Sequence, residues 1–270
     1  MAVYDTFQFN GEMDLLRLRC EELAPVVDFF IPVWADLDHQ GNFAVITELP
    51  KDLTDQYPIL EYTATNPPIL PEQPDCEMHC AGYQAWRLYC SFMIEHWHRE
   101  AIMEAMLDYE FVHVSDDDVI LISDVDEIPS RDTVANRQVG GVGMHSFYYK
   151  LNCLADEPII GTLKYPWWWW KSQTSIQSVR EQRYQSTRLS GGWHFSWLAK
   201  SIDDVVKKFD MIAHVELATP ENREKLPERY AGRLDPFGRW PERPLRKIGL
   251  EHLPHPVQEH PENWREYLDE

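Results

Sequence analysis

Residues 119–129 read VILISDVDEIP, and the fold follows from how that stretch begins and ends. Val119 to Ile122 is an almost uninterrupted β-branched and aliphatic run, the pattern of a strand buried on both faces of a parallel sheet. Polarity switches at Ser123, and Pro129 blocks any simple continuation. In open α/β sheets ligands bind beyond the carboxyl ends of the strands, so acids placed there address a crevice. Asp124 and Asp126 are two apart and would share one face of an extended strand. A turning chain could gather both around one hard divalent cation. Mg²⁺ and Mn²⁺ prefer oxygen, and Mg²⁺ commonly takes one or two carboxylates plus substrate phosphates. The pattern therefore predicts a metal that carries a phosphorylated substrate. The plainer alternative is an acidic turn closing a strand. An EF-hand is excluded, because Ile128 and Pro129 stand where that loop needs a ligand and a glycine.

Upstream, Val3 to Phe9 reads as a first strand, Asn10-Gly11 as a turn, and Glu12 to Leu23 as an amphipathic helix. Val26 to Val33 is a second apolar run, interrupted by Pro32. Strand, helix and strand in about 30 residues make a βαβ unit and a parallel sheet. Gly82 to Leu107 carries the longest helical pattern and leads into the strand at 119. Residues 36 to 82 are rich in proline and read as a surface excursion around one strand, Phe43 to Ile46. Cys76, His79, Cys80 and Cys90 invite a zinc reading, but their spacing matches no common finger.

Downstream, Val139 to Leu151 reads as another strand. Trp167 to Trp170 is a run of four indoles, which cannot all lie on one face of a helix or strand. Some rings should reach the surface and could stack on sugars; packing in the core is the alternative. Ser190 to Trp197 (SGGWHFSW) pairs two glycines, which admit close backbone approach, with His194 and two tryptophans. His194 is a candidate metal ligand or anion donor. Ile202 to Phe209 reads as a short helix, and Ile212 to Glu216 as a short apolar segment carrying polar groups. Residues 1–216 form the expected main domain, and 217–270 an irregular tail or lid packed on it.

The chain has 270 residues, 44% of them hydrophobic, enough for one large domain or two small ones. No run is long and apolar enough for a membrane span, and the N-terminus lacks the features of a signal peptide. Five unevenly spaced cysteines suit reduced thiols, so a cytoplasmic location is expected. A net charge of -20 argues against a nucleic-acid partner. The segment 221–247 is nonetheless locally basic and could close over an anionic ligand.

Several blocks together resemble glycosyltransferase family 17: YDTFQFNGEMDLLRLRCEEL (4–23), HREAIMEAM (98–106), DDVILISDVDEIPS (117–130), GGWHFSW (191–197) and KKFDMIAHVE (207–216). The best-known members are β-1,4-mannosyl-glycoprotein β-1,4-N-acetylglucosaminyltransferases. The resemblance implies an α/β, GT-A-like (Rossmann-like) fold with a mostly parallel central sheet. It further implies a UDP-sugar donor (UDP-N-acetylglucosamine in the known cases), a glycan acceptor, Mn²⁺ or Mg²⁺, and inversion at the sugar carbon. Carried over by position, Asp124 and Asp126 are the Asp-x-Asp motif, with Asp126 the direct metal ligand and His194 and His214 as further candidates. Asp5, Thr6, Phe7, Arg99, Asp124, Gly191, Gly192 and Trp193 are the implied donor contacts. Two positions depart from the family pattern. Val33-Trp34-Ala35-Asp36 stands where a Glu usually follows the second strand, and Glu100 where an Asn is common. The anchored animal enzymes act in the Golgi; without an anchor, a bacterial or viral glycan is the expected acceptor.

Inversion by direct displacement requires a carboxylate that takes the acceptor's proton, and Glu216 and Asp203 are the candidates. Two rival readings stay open. In an aspartyl-phosphate phosphohydrolase the first Asp would be the nucleophile, although Gly and Thr usually follow the pair where this chain has Glu127 and Ile128. A metal-dependent sugar-binding module would rest on the tryptophans.

Overall fold

The computed structural model describes residues 1–44, 46–75, 81–108, 113–239 and 243–269, with Asp156 described by its backbone alone. The first part of the chain forms β1 (Val3–Phe9), α1 (Met13–Leu23), β2 (Phe29–Trp34), α2 (Lys51–Gln56), β3 (Tyr62–Thr63), α3 (Ala81–Leu107) and β4 (Val119–Asp124). Next come β5 (Glu127–Pro129), α4 (Arg131–Ala135), β6 (Gly140–Phe147), β7 (Cys153–Pro166), α5 (Trp167–Lys171), α6 (Ile176–Glu181) and β8 (Arg188–His194). The last elements are α7 (Ile202–Phe209), α8 (Pro220–Ala231), β9 (Arg246–Lys247) and α9 (His255–Glu259).

Among the described residues these strands build one α/β sheet in the order β3-β2-β1-β4-β7-β6-β8-β5, with β9 paired to the start of β7. From β3 to β4 every pair is parallel, the Rossmann-like arrangement expected of strand–helix–strand units. Beyond β4 the sheet turns antiparallel at β7 and again at β6 and β5, while β6 and β8 run parallel. Pro32 is accommodated within β2. The Phe30 N–H faces the β3 side, bonding the Pro58 carbonyl, and position 32 shares its parity. Pro32 therefore points its missing donor toward the outer, sparsely paired side of the strand. Of the expected strand at Phe43 to Ile46, Val45 lies outside the described residues; Phe43, itself exposed, forms an isolated bridge with Leu37.

Side chains alternate across the sheet, as a period of two demands. On β4, Val119 and Leu121 join a core with Leu15, Leu16 and Leu18 of α1. Ile120 and Ile122 face the other way, into a core with Ala101, Ile102 and Ala105 of α3. The residues after 217 are short helices and turns, yet they pack on the same body. Leu253, Val257, Trp264 and Tyr267 belong to the α1 core, and the buried Glu22 carboxylate accepts the His255 N–H at 2.8 Å.

The tryptophan run is chiefly core. Trp167 and Trp170 are buried under α3, and Trp169 stacks on Tyr165 with centroids 3.8 Å apart. Trp168 alone of the four is exposed, and Pro166 pairs with Val119, so α5 hangs from the amino end of β4. That is the end opposite Asp124, which removes the run from any site at the carboxyl ends. Cys76, His79 and Cys80 of the zinc reading lie outside the described residues; Cys90 is a free, buried thiol on α3. Among the described residues no helix is long and apolar enough to cross a membrane.

Candidate functional site

Asp124 ends β4 in register with Gln8 at the end of β1, and only Val125 and Asp126 separate it from β5. Yet β5 pairs not with β4 but with β8, at the far end of the strand order. The Asp-Val-Asp turn is thus the crossing between the parallel and antiparallel halves. It is held from below by Arg19 of α1, which is completely buried. Arg19 makes a two-pronged pair with Asp5, both bonds at 2.6 Å. Its remaining N–H groups reach the carbonyls of Asp124, Val125 and Glu127 at 3.1, 3.2 and 3.0 Å, and the Ser123 hydroxyl at 2.6 Å. A bidentate guanidinium–carboxylate pair has a fixed planar geometry, so it sets the path of the turn.

The two aspartates then part company. The Asp124 carboxylate takes Arg99 of α3 at 3.2 Å on one oxygen and Arg180 of α6 at 3.0 Å on the other. Arg180 also grips Glu127 through two bonds of 3.0 and 2.9 Å. Arg99 is further held by Glu95 at 2.9 Å and by Gln177. Burial alone would raise the Asp124 pKa, but the guanidiniums of Arg180 and Arg99 outweigh it and hold the carboxyl far below the usual range. Asp126 meets different neighbours: His194 Nε2 at 3.7 Å and Lys208 Nζ at 3.8 Å, both on Oδ2. Neither is within hydrogen-bonding distance. Its carbonyl accepts the Phe195 N–H at 2.9 Å. Because Glu127 and His194 are paired residues of β5 and β8, the register itself brings His194 beside Asp126.

Among the described residues no three His, Cys, Asp or Glu side chains gather as a metal cluster. The two aspartates share no ion-pair partner among the described residues. Asp124, 32% exposed, is engaged by two arginines, whereas Asp126, 16% exposed, faces His194 and Lys208 only beyond hydrogen-bonding distance.

Several expected donor contacts turn inward. Asp5, Thr6 and Phe7 are all fully buried. Asp5 is spent on Arg19, the Thr6 hydroxyl donates to the Leu121 carbonyl at 2.7 Å, and the Phe7 ring lies 4.4 Å under the Arg19 guanidinium. Arg99 faces Asp124, so it acts on the site through that carboxylate. Gly191 has φ +113°, and a Cβ there would come within 2.6 Å of Ser130 Oγ and 2.7 Å of Thr133 Oγ1. A Cβ on Gly192 would meet the Ile128 carbonyl at 2.9 Å. The paired glycines therefore allow close packing of β8 on β5 and α4. Trp193 donates to the His252 carbonyl at 2.8 Å and packs on the α1 core.

A wall rises above the carboxyl ends. Gln8 Nε2 donates to the Glu95 carbonyl at 3.0 Å, so the part of α3 before Glu95 overhangs β1 and β4. Onto that overhang pack the residues after α7: Ser91 donates to the Ala213 carbonyl at 2.8 Å, and His214 meets Phe92 edge-on at 5.5 Å. His214 Nδ1 and Glu216 lie 2.8 Å apart, both exposed. Neither is an ion-pair partner of Asp126, so His214 does not join that group. Asp203 and Lys208 both lie on α7. Five residues apart, they are turned about 140° from each other on the helix. With Lys208 facing Asp126, the exposed Asp203 points elsewhere.

Arg19, Glu127, Arg180 and Lys208 carry much of this site and escape a reading by motif. Glu127 is visible as the acid following the pair, but nothing in the sequence near Arg180 announces that α6 will deliver it. Glu100, one of the two departures, explains part of that delivery. Its carboxylate accepts from the Ser175 hydroxyl at 2.6 Å and from the Ile176 and Gln177 N–H groups at 3.0 and 2.9 Å, seating the start of α6. The basic segment is likewise mostly committed: Arg223 pairs with Asp210, Lys225 with Glu221, Arg233 with Asp269 and Arg239 with Asp235.

The family model described as Glycosyltransferase family 17 matches residues 1–228. No curated protein matches the chain. The matched span includes both strands that frame Asp126 and the whole of α7.

Proposed function

The chain belongs to glycosyltransferase family 17, and from that premise we propose that it moves N-acetylglucosamine from a UDP-sugar to a hydroxyl of a glycan acceptor, inverting the anomeric carbon. Membership makes the protein a glycosyltransferase with a donor and an acceptor substrate; the donor, linkage chemistry and cation are the proposal. One observation carries it. Asp126 follows the carboxyl end of β4 with its carboxylate only loosely paired, His194 at 3.7 Å and Lys208 at 3.8 Å, while its motif partner Asp124 is bound by two arginines. Only such an asymmetric pair leaves room for a ligand on the second acid.

A carboxylate oxygen suits Mn²⁺ or Mg²⁺, metals that complete their shells with substrate phosphates and water, and an imidazole nitrogen beside it favours Mn²⁺ over the harder Mg²⁺. Asp126 and His194 would hold such a cation, which would supply Lewis-acid stabilisation of the charge developing on the diphosphate. Arg19 keeps the turn that presents Asp126 in one conformation, and the α3 overhang walls the crevice. Glu216, oriented by His214 at 2.8 Å, is the general base. It takes the acceptor's proton as the acceptor oxygen bonds to the anomeric carbon and the bond from that carbon to the nucleoside diphosphate breaks. Asp203 is the weaker candidate because of its direction on α7.

A thermal-shift panel of UDP and UDP-sugars with and without Mn²⁺ tests the donor side. Metal-dependent stabilisation by UDP is expected; equal shifts in chelator would contradict it. Replacing Glu216 with alanine should lower transfer on the order of 10³-fold and leave UDP binding unchanged. Full turnover in that variant would eliminate Glu216 as the base.

A further inference from the structure

Lys208 is the group nearest Asp126 that neither the motif nor the family accounts for. Helix α7 is firmly seated. The turn before it holds Trp197 at φ 64°, in the left-handed region, with its indole packed against Phe209 and Phe237. The Asp204 side chain accepts the Ser201 N–H at 3.0 Å, Ser201 in turn caps the helix, and Val205 and Phe209 are buried. At the other end Asp210 is held by Arg223 through two bonds of 2.8 Å. The seated helix turns Lys208, one-third exposed, toward Asp126, while its neighbour Lys207 faces solvent. Among the described residues, Asp126 is the acid within ion-pair distance of Lys208.

Resting on the donor-site reading above, we infer that Lys208 is a diphosphate-binding residue whose ammonium balances Asp126 until the donor and its cation arrive. A surface ion pair of this kind contributes little to stability, so stability alone does not explain an inward lysine on a rigid helix. A divalent cation drawn to Asp126 Oδ2 would meet that ammonium at close range, and like charges repel. The lysine stem is flexible enough for the charge to swing away. The anion that accompanies the cation is the diphosphate, and a phosphate oxygen is a stronger partner for an ammonium than the solvent it would otherwise face. The same side chain therefore opposes the bare metal and favours the metal with nucleotide.

These opposite signs are the test. Calorimetric titration of Lys208→Gln should find Mn²⁺ alone binding about 3- to 10-fold more tightly than to wild type. UDP in Mn²⁺ buffer should bind about 10- to 100-fold more weakly. Lys208→Arg, which keeps the charge, should recover most of the UDP affinity, and Lys207→Gln should match wild type for both ligands. If Lys208→Gln leaves both affinities unchanged, or moves them in the same direction, while wild type binds UDP with Mn²⁺, the role of Lys208 is refuted and the donor site stands. Failure of wild type to bind UDP in Mn²⁺ buffer would overturn the donor reading and this inference together.

Discussion

Asp124 closes the parallel half of the sheet and Asp126 opens onto the antiparallel half, and in the space of three residues the chain changes from scaffold to site. On the parallel side the charges beneath the turn have close partners: Asp5 with Arg19, and Asp124 with Arg99 and Arg180. On the antiparallel side Asp126 faces His194 and Lys208 across gaps wider than a hydrogen bond. Buried ion pairs fix geometry and are costly to disturb, whereas loosely paired groups are free to exchange partners for a ligand. The difference teaches that spacing in a motif does not assign equal roles to its members.

The comparison breaks most visibly at Arg19. Removing its guanidinium in Arg19→Met strands Asp5 in the core and frees three carbonyls of the turn, so unfolding in urea should report a loss of about 3–5 kcal/mol. A loss below about 1 kcal/mol would mean that the parallel half is not the rigid partner.

Acid sharpens the contrast next. His98 of α3 lies fully buried, its Nε2 2.6 Å from the Val33 carbonyl, and burial pulls its pKa down to about 4. The folded state then binds fewer protons than the unfolded one between about pH 6.5 and 4, so stability falls as pH drops through that window. The loss is on the order of 3 kcal/mol, complete below about pH 4, and His98→Gln should flatten this part of the profile. An unchanged profile in that variant would assign the acid sensitivity to other groups. The smallest effect belongs to the surface beside α7. Arg223→Ala should cost less than about 1 kcal/mol, because exposed pairs are screened by water and salt.

The sequence was most legible where one pattern dominates a segment. Val3 to Phe9 is a strand rich in aromatic and β-branched residues, Val119 to Ile122 fills both faces of its strand with apolar side chains, and Ala81 to Leu107 is a helix because its periodicity runs unbroken. The site was legible only at its acids. Nothing local in Glu127 to Pro129 foretells that β5 will join β8 instead of β4, since that pairing depends on how the whole sheet coils. Gly191 and Gly192 carry the pattern of a ligand loop, but the same lack of a side chain serves packing against Ser130 and Ile128. The tryptophan run misleads for a related reason: consecutive indoles say nothing about which end of a strand they occupy. Arg180 waited on the fold as well, because its partners lie more than fifty positions away.

Asp124→Asn and Asp126→Asn, compared side by side for urea stability and for the Mn²⁺-dependent thermal shift with UDP, test the division of labour most directly. Asp124→Asn should lose about 2–3 kcal/mol, because it leaves two buried guanidiniums short of a counter-charge. Asp126→Asn should change stability by less than about 0.5 kcal/mol and abolish the UDP shift. An Asp126→Asn protein that keeps the full shift, or an Asp124→Asn protein as stable as wild type, would contradict the account.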